Sequence, residues 1–430
     1  ENSYKSMAVF KNKLKKIIDK LNNIDIPKIE QKIKEFTDIK NSLKKLPKFS
    51  SLSNQDVDKR IEYLKEILNI NIEYLNDKKK VDNFNIFQGN IENFIGTAKI
   101  PVGIVGPIKV KGLYAQGEFF VPMATTEGAL VASYNRGSMI TNLAGGITSI
   151  CLAERVSRAP AFKFNNLIEA SKFILWISQQ FEKFYEISSI SSRHGKLEDI
   201  LINIDGNIVF ISFDFHTADA SGQNMVTIIT ENICKWIIEN TPIKPISWFI
   251  ESNLSGDKKA SYLSYLLIRG KKVVAEALIP NKLIEKFLRT SAEKIDEYVR
   301  ISTTAATQSG TMGAQGHYAN ALAAIFIACG QDAACVSESA IGITRTEIIN
   351  KDLYISVNIP NLIVGTVGGG TSLPTQKECL EITQCYGAGN ANKFAEIIGA
   401  TILAGELSIV GSIAAGDFAQ AHKKYRKKNT

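Results

Sequence analysis

The stretch Lys196–Phe215 reads KLEDILINIDGNIVFISFDF. Apolar residues alternate through both halves, and the halves meet at Asp205-Gly206. A period of two marks a half-buried strand, and Asp-Gly is a favoured two-residue reversal, so the segment predicts a β-hairpin. Upstream, Ala161–Phe164 reads as a strand and Leu167–Phe184 as a helix. Downstream, Asn224–Glu239 reads as a helix and Ile246–Phe249 as a strand. The order β-α-β-β-α-β is the ferredoxin-like split unit. It lies inside a longer chain. The expected class is therefore α+β, with this unit inserted into a larger helix-rich domain.

The flanks differ in character. No glycine precedes Gly89. Lys13–Leu21, Ile29–Leu43 and Val57–Leu75 read as amphipathic helices interrupted at Pro27 and Pro47. From Gly89 onward glycine is frequent, and Lys99–Val110 holds short apolar runs punctuated by Gly and Pro. Glu127–Leu143 and Ile147–Ser157 read as helical or as packed through small residues. Asn281–Val299, Gln315–Ala328 and Asn392–His422 read as further helices or small-residue runs. The expected organisation is a helical N-terminal region (1–85), a split larger domain (86–160 and 251–430) and the inserted unit (161–250).

Composition narrows the classes. The chain of 430 residues is 45% hydrophobic and 22% charged, which is ordinary for a globular protein in water. No run reaches the roughly 18 apolar residues of a membrane span. The first residues, Glu1-Asn-Ser-Tyr-Lys5, are not a secretory leader, so a soluble, cytoplasmic protein is expected. Six scattered cysteines show no Cys-x-x-Cys spacing and read as buried thiols in a reducing compartment. Four histidines are too few for a multi-His metal site, and no metal is expected. The net charge of +8 comes with lysines concentrated at the two ends. It suits a polyanionic small ligand; without an RNA-binding aromatic signature or zinc-finger spacing, no nucleic-acid partner is expected.

Several stretches could carry chemistry. There is no Gly-x-Gly-x-x-Gly after a strand and no phosphate-binding Walker loop. Asp219-Ala-Ser-Gly-Gln-Asn224 stands directly before a helix. It fits an anion site or an ordinary N-cap turn. The glycines of Gly365–Thr371 would let backbone approach a flat ligand or make a tight turn. Glu127 and Asp332 sit among small residues, where partial burial would raise a carboxyl pKa towards that of a general acid. Asp257-Lys258-Lys259 is either a solvated turn or a cation held for a reaction.

Taken in order, Glu92-Asn-Phe-Ile-Gly-Thr97, Pro122-Met-Ala-Thr-Thr-Glu-Gly128, Asp219-Ala-Ser-Gly-Gln-Asn-Met225, Asp257-Lys-Lys259, Gly330-Gln-Asp-Ala-Ala334, Gly365-Thr-Val-Gly-Gly-Gly-Thr371, Ala404-Gly-Glu-Leu-Ser408 and His422 closely resemble hydroxymethylglutaryl-coenzyme A reductase. The resemblance spans roughly residues 85–427. The Asp-Lys-Lys form, and the end of the chain soon after His422, resemble the class I branch.

The resemblance implies a function. Hydroxymethylglutaryl-coenzyme A is reduced to mevalonate and coenzyme A in two hydride transfers from NADPH, with NADH not excluded. It implies that Lys258 stabilises the oxyanion, Glu127 supplies a proton, Asp332 links and tunes both, and His422 protonates the departing thiolate. Arg158, Ser252, Asp257, Lys259 and Asn320 match substrate positions. Ser133, Asn135 and Arg136 match a region contacting coenzyme A. Asp219, Ser221, Gly222, Gln223, Asn224, Gly368, Gly369 and Gly370 match cofactor-binding stretches. Ser192-Arg193 resembles the pair that holds the NADPH 2′-phosphate. The resemblance also implies a homodimer or dimer of dimers, with the Lys258 and Glu127 segments of one site coming from different chains.

Departures stand beside the match. Glu251-Ser-Asn253 replaces a common Ser-Gly-Asn, which alters contacts to the substrate carboxylate or shifts them to Ser252. Arg300-Ile301 replaces a Lys-Asn pair. The regulatory serine after the catalytic histidine is absent from His422–Lys428, so no phosphorylation switch is expected there. No counterpart of the eukaryotic members' membrane span is read in these residues, which again leads to the expectation of a soluble protein. Two other classes compete: a silent coenzyme A-binding or scaffold homologue, and a cysteine-nucleophile acyl-coenzyme A enzyme using Cys335, for example with His317.

Overall fold

The computed structural model describes residues 53–417, together with Gln31 and Leu46. The helices expected over Lys13–Leu21 and Ile29–Leu43 lie outside these residues, Gln31 excepted, as does His422. Helix α1 (Asn54–Leu68) is shorter than the expected Val57–Leu75. Ser53 caps its start by accepting the Asp56 N–H, and Asn69 stops it in the left-handed conformation, which Asn tolerates.

The chain continues through β1 (Val102–Lys111), β2 (Gln116–Ala124), α2 (Leu130–Leu143) and β3 (Ile147–Arg158). Then come β4 (Ala161–Lys163), α3 (Leu167–Ile177), α4 (Phe181–Ser191), β5 (Lys196–Asp205), β6 (Ile208–His216), α5 (Gln223–Asn240) and β7 (Ser247–Phe249). It returns through α6 (Tyr262–Leu267), β8 (Gly270–Ile279), α7 (Asn281–Leu288), α8 (Ala292–Ser309), β9 (Gly313–Ala314) and α9 (Tyr318–Ala328). It closes with α10 (Val336–Ser339), β10 (Gly342–Ile349), β11 (Asp352–Leu362), α11 (Pro374–Ile382) and α12 (Ala391–Ala414).

The hairpin that opened the sequence reading forms as β5 and β6, with Asp205 paired to Ile208. Its sheet runs β7-β4-β6-β5, and every pair is antiparallel. That is the strand order of the ferredoxin-like unit. The expected helix Leu167–Phe184 divides into α3 and α4 at Ser178–Gln180. The break lets Phe184 stand edge-on to Phe213 in a core rich in aromatic side chains.

β3 corrects an expectation: Ile147–Ser157 is extended, not helical. Its first part pairs with β8 and its end with β6. A strand flanked on both edges and largely covered loses the polar–apolar alternation that would reveal it. β3 thus runs from the larger core into the smaller one. The expected helix Asn281–Val299 also divides, into α7 and α8, where Arg289 turns left-handed.

α12 lies at the centre of the larger core. Its mean hydropathy of 1.8 over a membrane-length window is matched by 83% burial of that window inside the protein. Two acids on α12 are nonetheless buried. Glu396 accepts N–H groups from Leu113, Tyr114, Ala115 and Cys151, so it fixes the β1–β2 turn and β3. Glu406 anchors the start of α9, as described next.

Candidate active site

The Asp257–Lys259 run is a turn whose two lysines are exposed, but its backbone and charges are held by specific partners. Lys258 has a left-handed backbone, φ +58°. Its N–H donates to Glu338 Oε1 at 3.2 Å, and Ser337 Oγ donates to its carbonyl at 2.7 Å. Its Nζ lies 3.3 Å from Asp332 Oδ2. Partial burial opposes the charge, but Asp332 and Asp257 outweigh it and hold the ammonium above its ordinary value. The Asp257 carboxylate turns inward, with Arg158 Nη1 at 3.2 Å and Arg269 Nη2 at 3.1 Å. Lys259 is exposed and donates to the Asp257 carbonyl.

Beneath this turn lies a charge network that the sequence reading missed. Arg269 and Glu338 are fully buried and paired through Nη1 and Oε2. Arg269 Nη2 also donates to Gln223 Oε1 at 2.7 Å. Arg158 Nη1 lies 3.0 Å from Glu251 Oε2. Glu251 further accepts the Asn253 N–H and the Ser255 hydroxyl. The residue that departs from the family pattern is therefore the one that ties its own loop to Arg158. Ser252 donates its hydroxyl to the Ala159 carbonyl. The available signal was a lone cation in the apolar run Leu266-Leu-Ile-Arg-Gly270, because a charge placed among core residues demands a partner.

Glu127 and Asp332 differ from expectation. Both are exposed in this chain. Their small neighbours leave them uncovered rather than enclosing them. Glu127 precedes the left-handed Ala129 that starts α2, and Asn320 Nδ2 donates to Glu127 Oε2 at 2.8 Å. Asn320 lies in the first turn of α9, whereas Asp332 follows its last residue, Ala328. The Glu127–Asn320 and Lys258–Asp332 pairs therefore sit at opposite ends of α9. Eight residues of helical rise separate Asn320 from Ala328, about 12 Å.

The start of α9 is pinned by Glu406. Gly316 N–H and His317 N–H each donate to its carboxylate at 2.7 Å, and Thr344 Oγ1 donates at 2.6 Å. The His317 ring stands 3.0 Å from Glu406 through Nδ1 and stacks on Tyr134. Burial would raise the Glu406 carboxyl, but the His317 and Thr344 contacts prevail and lower it. On α2, Ser133 meets the Ser408 hydroxyl at 2.9 Å, and Arg136 donates to the Ser408 hydroxyl and carbonyl. Asn135 accepts the Gly106 N–H and donates to the Ile104 carbonyl. These three residues fasten α2 to α12 and β1.

The stretches singled out for a cofactor meet one another. A Cβ on Gly365 would lie 2.5 Å from the Ser221 nitrogen, so only glycine lets the Gly365–Thr371 stretch lie against the Asp219–Gly222 loop. Thr366 N–H donates to the Asp219 carbonyl. The Asp219 carboxylate accepts the Gly389 and Ala391 N–H groups, which fixes the entry to α12. α5 begins after left-handed Gly222 with no side-chain cap, so its first N–H groups are free for an anion. Asn224 is exposed there, as are Gly368 and Gly369. Gln223 Nε2 is buried without a protein partner. Ser192 Oγ accepts the His194 and Gly195 N–H groups, and exposed Arg193 lies within that turn. A Cβ on Gly195 would meet Ile229 and Met225, which places the turn against the first turns of α5. The uncapped helix start and the orphaned Gln223 amide fit a phosphate-bearing dinucleotide. Among the described residues no group of three or more His, Cys, Asp and Glu could hold a metal ion.

A family model described as hydroxymethylglutaryl-coenzyme A reductase matches residues 56–427. The chain belongs to that family. The hydroxymethylglutaryl-coenzyme A reductase of Methanocaldococcus jannaschii is 45% identical over 342 residues, 78% of this chain and 84% of that protein. That of Pyrococcus horikoshii is 44% identical, over 78% of this chain and 83% of that protein. The reductase 2 of Gossypium hirsutum is 39% identical, over 77% of this chain and 54% of that protein. Among solved structures, the class II reductase of Streptococcus pneumoniae bound to NADPH superposes with a TM-score of 0.68 at 20% identity, covering 84% of this chain and 97% of that one. That likeness is one of fold. Within this reductase family, the cysteine-nucleophile reading loses its basis. Cys335 is buried, and burial with the Glu338 charge pushes its thiol well up, so no thiolate forms near neutrality.

Proposed function

We propose that this chain is a hydroxymethylglutaryl-coenzyme A reductase that makes mevalonate and free coenzyme A. One observation carries the reading. A lysine held cationic by Asp332 stands on a turn that is joined, through Arg269 and Gln223, to an uncapped helix start suited to a dinucleotide. The reduced nicotinamide supplies a hydride in each of two reductive steps. Lys258 places its charge where the thioester, and then the aldehyde, carbonyl oxygen becomes negative. Asp332 keeps Lys258 charged. Glu127 gives its proton to the oxygen in the aldehyde step, and Asn320 holds its carboxyl. His422 protonates the coenzyme A thiolate, a modest acid for a leaving group of modest basicity.

The separation of the two pairs along α9 supports a site completed by a second chain, in a dimer or a dimer of dimers. Arg158, Ser252, Asp257 and Lys259 form the substrate-carboxylate side, and Ser133, Asn135 and Arg136 support the coenzyme A side. Ser192, Arg193, Ser221–Asn224 and Gly368–Gly370 form the cofactor side. Asp219 shapes that side through the loop it anchors. Arg193 favours NADPH over NADH, since a guanidinium suits a 2′-phosphate. The two cores support the division at residues 161–250, the Asp-Lys-Lys form supports the class I branch, and six free cysteines support a reducing, cytoplasmic setting.

The test is loss of reduced-nicotinamide absorbance with hydroxymethylglutaryl-coenzyme A, run with NADPH and with NADH alongside thiol release. Two cofactors oxidised per thiol is the expected result. Coenzyme A binding without oxidation would leave the silent homologue, with the Glu251–Arg158 pair as its first explanation.

A further inference from the structure

We infer that Arg269 is a positioning residue for Lys258 and ties the Lys258 turn to the start of α5. The inference rests on the reading of Lys258 as the reaction cation. Arg269 is wholly buried, yet its guanidinium serves Glu338, Asp257 and Gln223 at once. Glu338 gives one oxygen to Arg269 and the other to the Lys258 N–H. Asp257 is the residue preceding Lys258. Arg269 therefore reaches Lys258 by two routes, one through space and one along the chain.

The backbone beside Arg269 is strained. Ile268 has φ +70° and ψ 143°, a region costly for a β-branched side chain. Such strain persists only where the surroundings over-determine it. Here Arg155 Nη1 donates to the Leu267 and Ile268 carbonyls at 3.0 and 3.2 Å, and Asn361 Oδ1 accepts the Arg269 N–H at 3.0 Å. The strained link delivers the guanidinium into the core beneath the site. There it also turns the Gln223 carbonyl inward, leaving Nε2 of the same amide as a donor without a protein partner. Without Arg269, Glu338 would be a buried, unpaired carboxylate. It would take up a proton and weaken as the acceptor that holds the left-handed Lys258 turn. Lysine cannot replace Arg269, because a point charge cannot serve three acceptors in a fork.

The test uses the full chain with Arg269→Lys, and Ser337→Ala as a milder change at the other clamp on Lys258. Two readouts are taken: kcat and KM for the thioester, and the rate at which Lys258 is labelled by an amine-directed reagent at pH 8, followed by mass spectrometry without substrate. Exposed Lys172 is the internal reference. Arg269→Lys should lower kcat by about 100-fold with KM within about threefold, the pattern of a lost transition-state contact. Lys258 labelling should rise severalfold as its pairing with Asp332 loosens, while Lys172 is unchanged. Ser337→Ala should shift both in the same sense. If Arg269→Lys does not fold, Glu338→Gln takes its place, keeping an acceptor for the Lys258 N–H while removing the charge that Arg269 pairs with, and it should likewise raise labelling of Lys258 over Lys172. Unchanged kcat and Lys258 labelling in a folded variant would overturn the inference. So would a parallel rise at Lys258 and Lys172, which marks general loosening. A parent protein that reduces no thioester would remove the catalytic reading, while the labelling comparison would still test the positioning.

Discussion

Co-expression of a Glu127→Gln chain with a Lys258→Ala chain should recover activity that neither variant has alone. Within one chain, Glu127 is bonded at the first turn of α9 and Lys258 pairs with Asp332 beyond its last. The intervening helix spans about 12 Å. A reacting carbonyl needs both groups within hydrogen-bond reach, so under the proposed shared site each site would take its Glu127 from one chain and its Lys258 from the other. In a mixed dimer one site then receives both substitutions and the other receives neither. Random pairing of equal amounts makes about half of the dimers mixed, each with one intact site, which returns about a quarter of the parent activity. Mixed dimers isolated through two different affinity tags should show about half. The assay is NADPH oxidation with hydroxymethylglutaryl-coenzyme A, referred to each variant dimer alone. Mixed dimers no more active than the variants would refute the shared site and require α9 to bend so that one chain joins both pairs.

Other outcomes follow from the same geometry. Lys258→Ala should lower kcat by roughly 10²–10³, the usual cost of one oxyanion-stabilising group. Because the folded ammonium lies above its ordinary value, its pairing is complete below that value and is lost as pH rises through the folded one; the alkaline limb of kcat should fall only there. Glu406→Ala should cost roughly 3–5 kcal/mol in a denaturant melt, since it strips a buried pair and two backbone N–H groups of their partner. The Glu406 carboxyl is lowered in the fold, so its stabilisation should be present above the ordinary glutamate value and be lost as acid titration passes the folded one. Glu251→Ser should free Arg158 from one of its two acids and lower KM for the thioester. An unchanged KM would show that Arg158 is not short of capacity for the substrate. Alkylation at neutral pH with a cysteine reagent should leave turnover intact, because five of the six thiols are buried.

Local order determined much of this protein. The period-two alternation of Lys196–Phe215 and its Asp-Gly reversal announced the hairpin, and with it the split unit, because a strand with one covered face writes its geometry into alternate residues. The eight ordered motifs announced the family, and the resemblance they carry proposed Lys258, Glu127 and Asp332 as its reacting groups. What stayed illegible depended on long-range contact. β3 serves two sheets and is only partly buried through its middle, so its alternation is blurred. The exposure of Glu127 and Asp332 was not legible either, because small neighbours can enclose a carboxylate or leave it uncovered, and only the fold decides which. Arg269, Glu338 and Gln223 are far apart in the chain and unremarkable by spacing. Only the folded core brings them together, because a buried guanidinium must find its acceptors wherever the tertiary structure puts them.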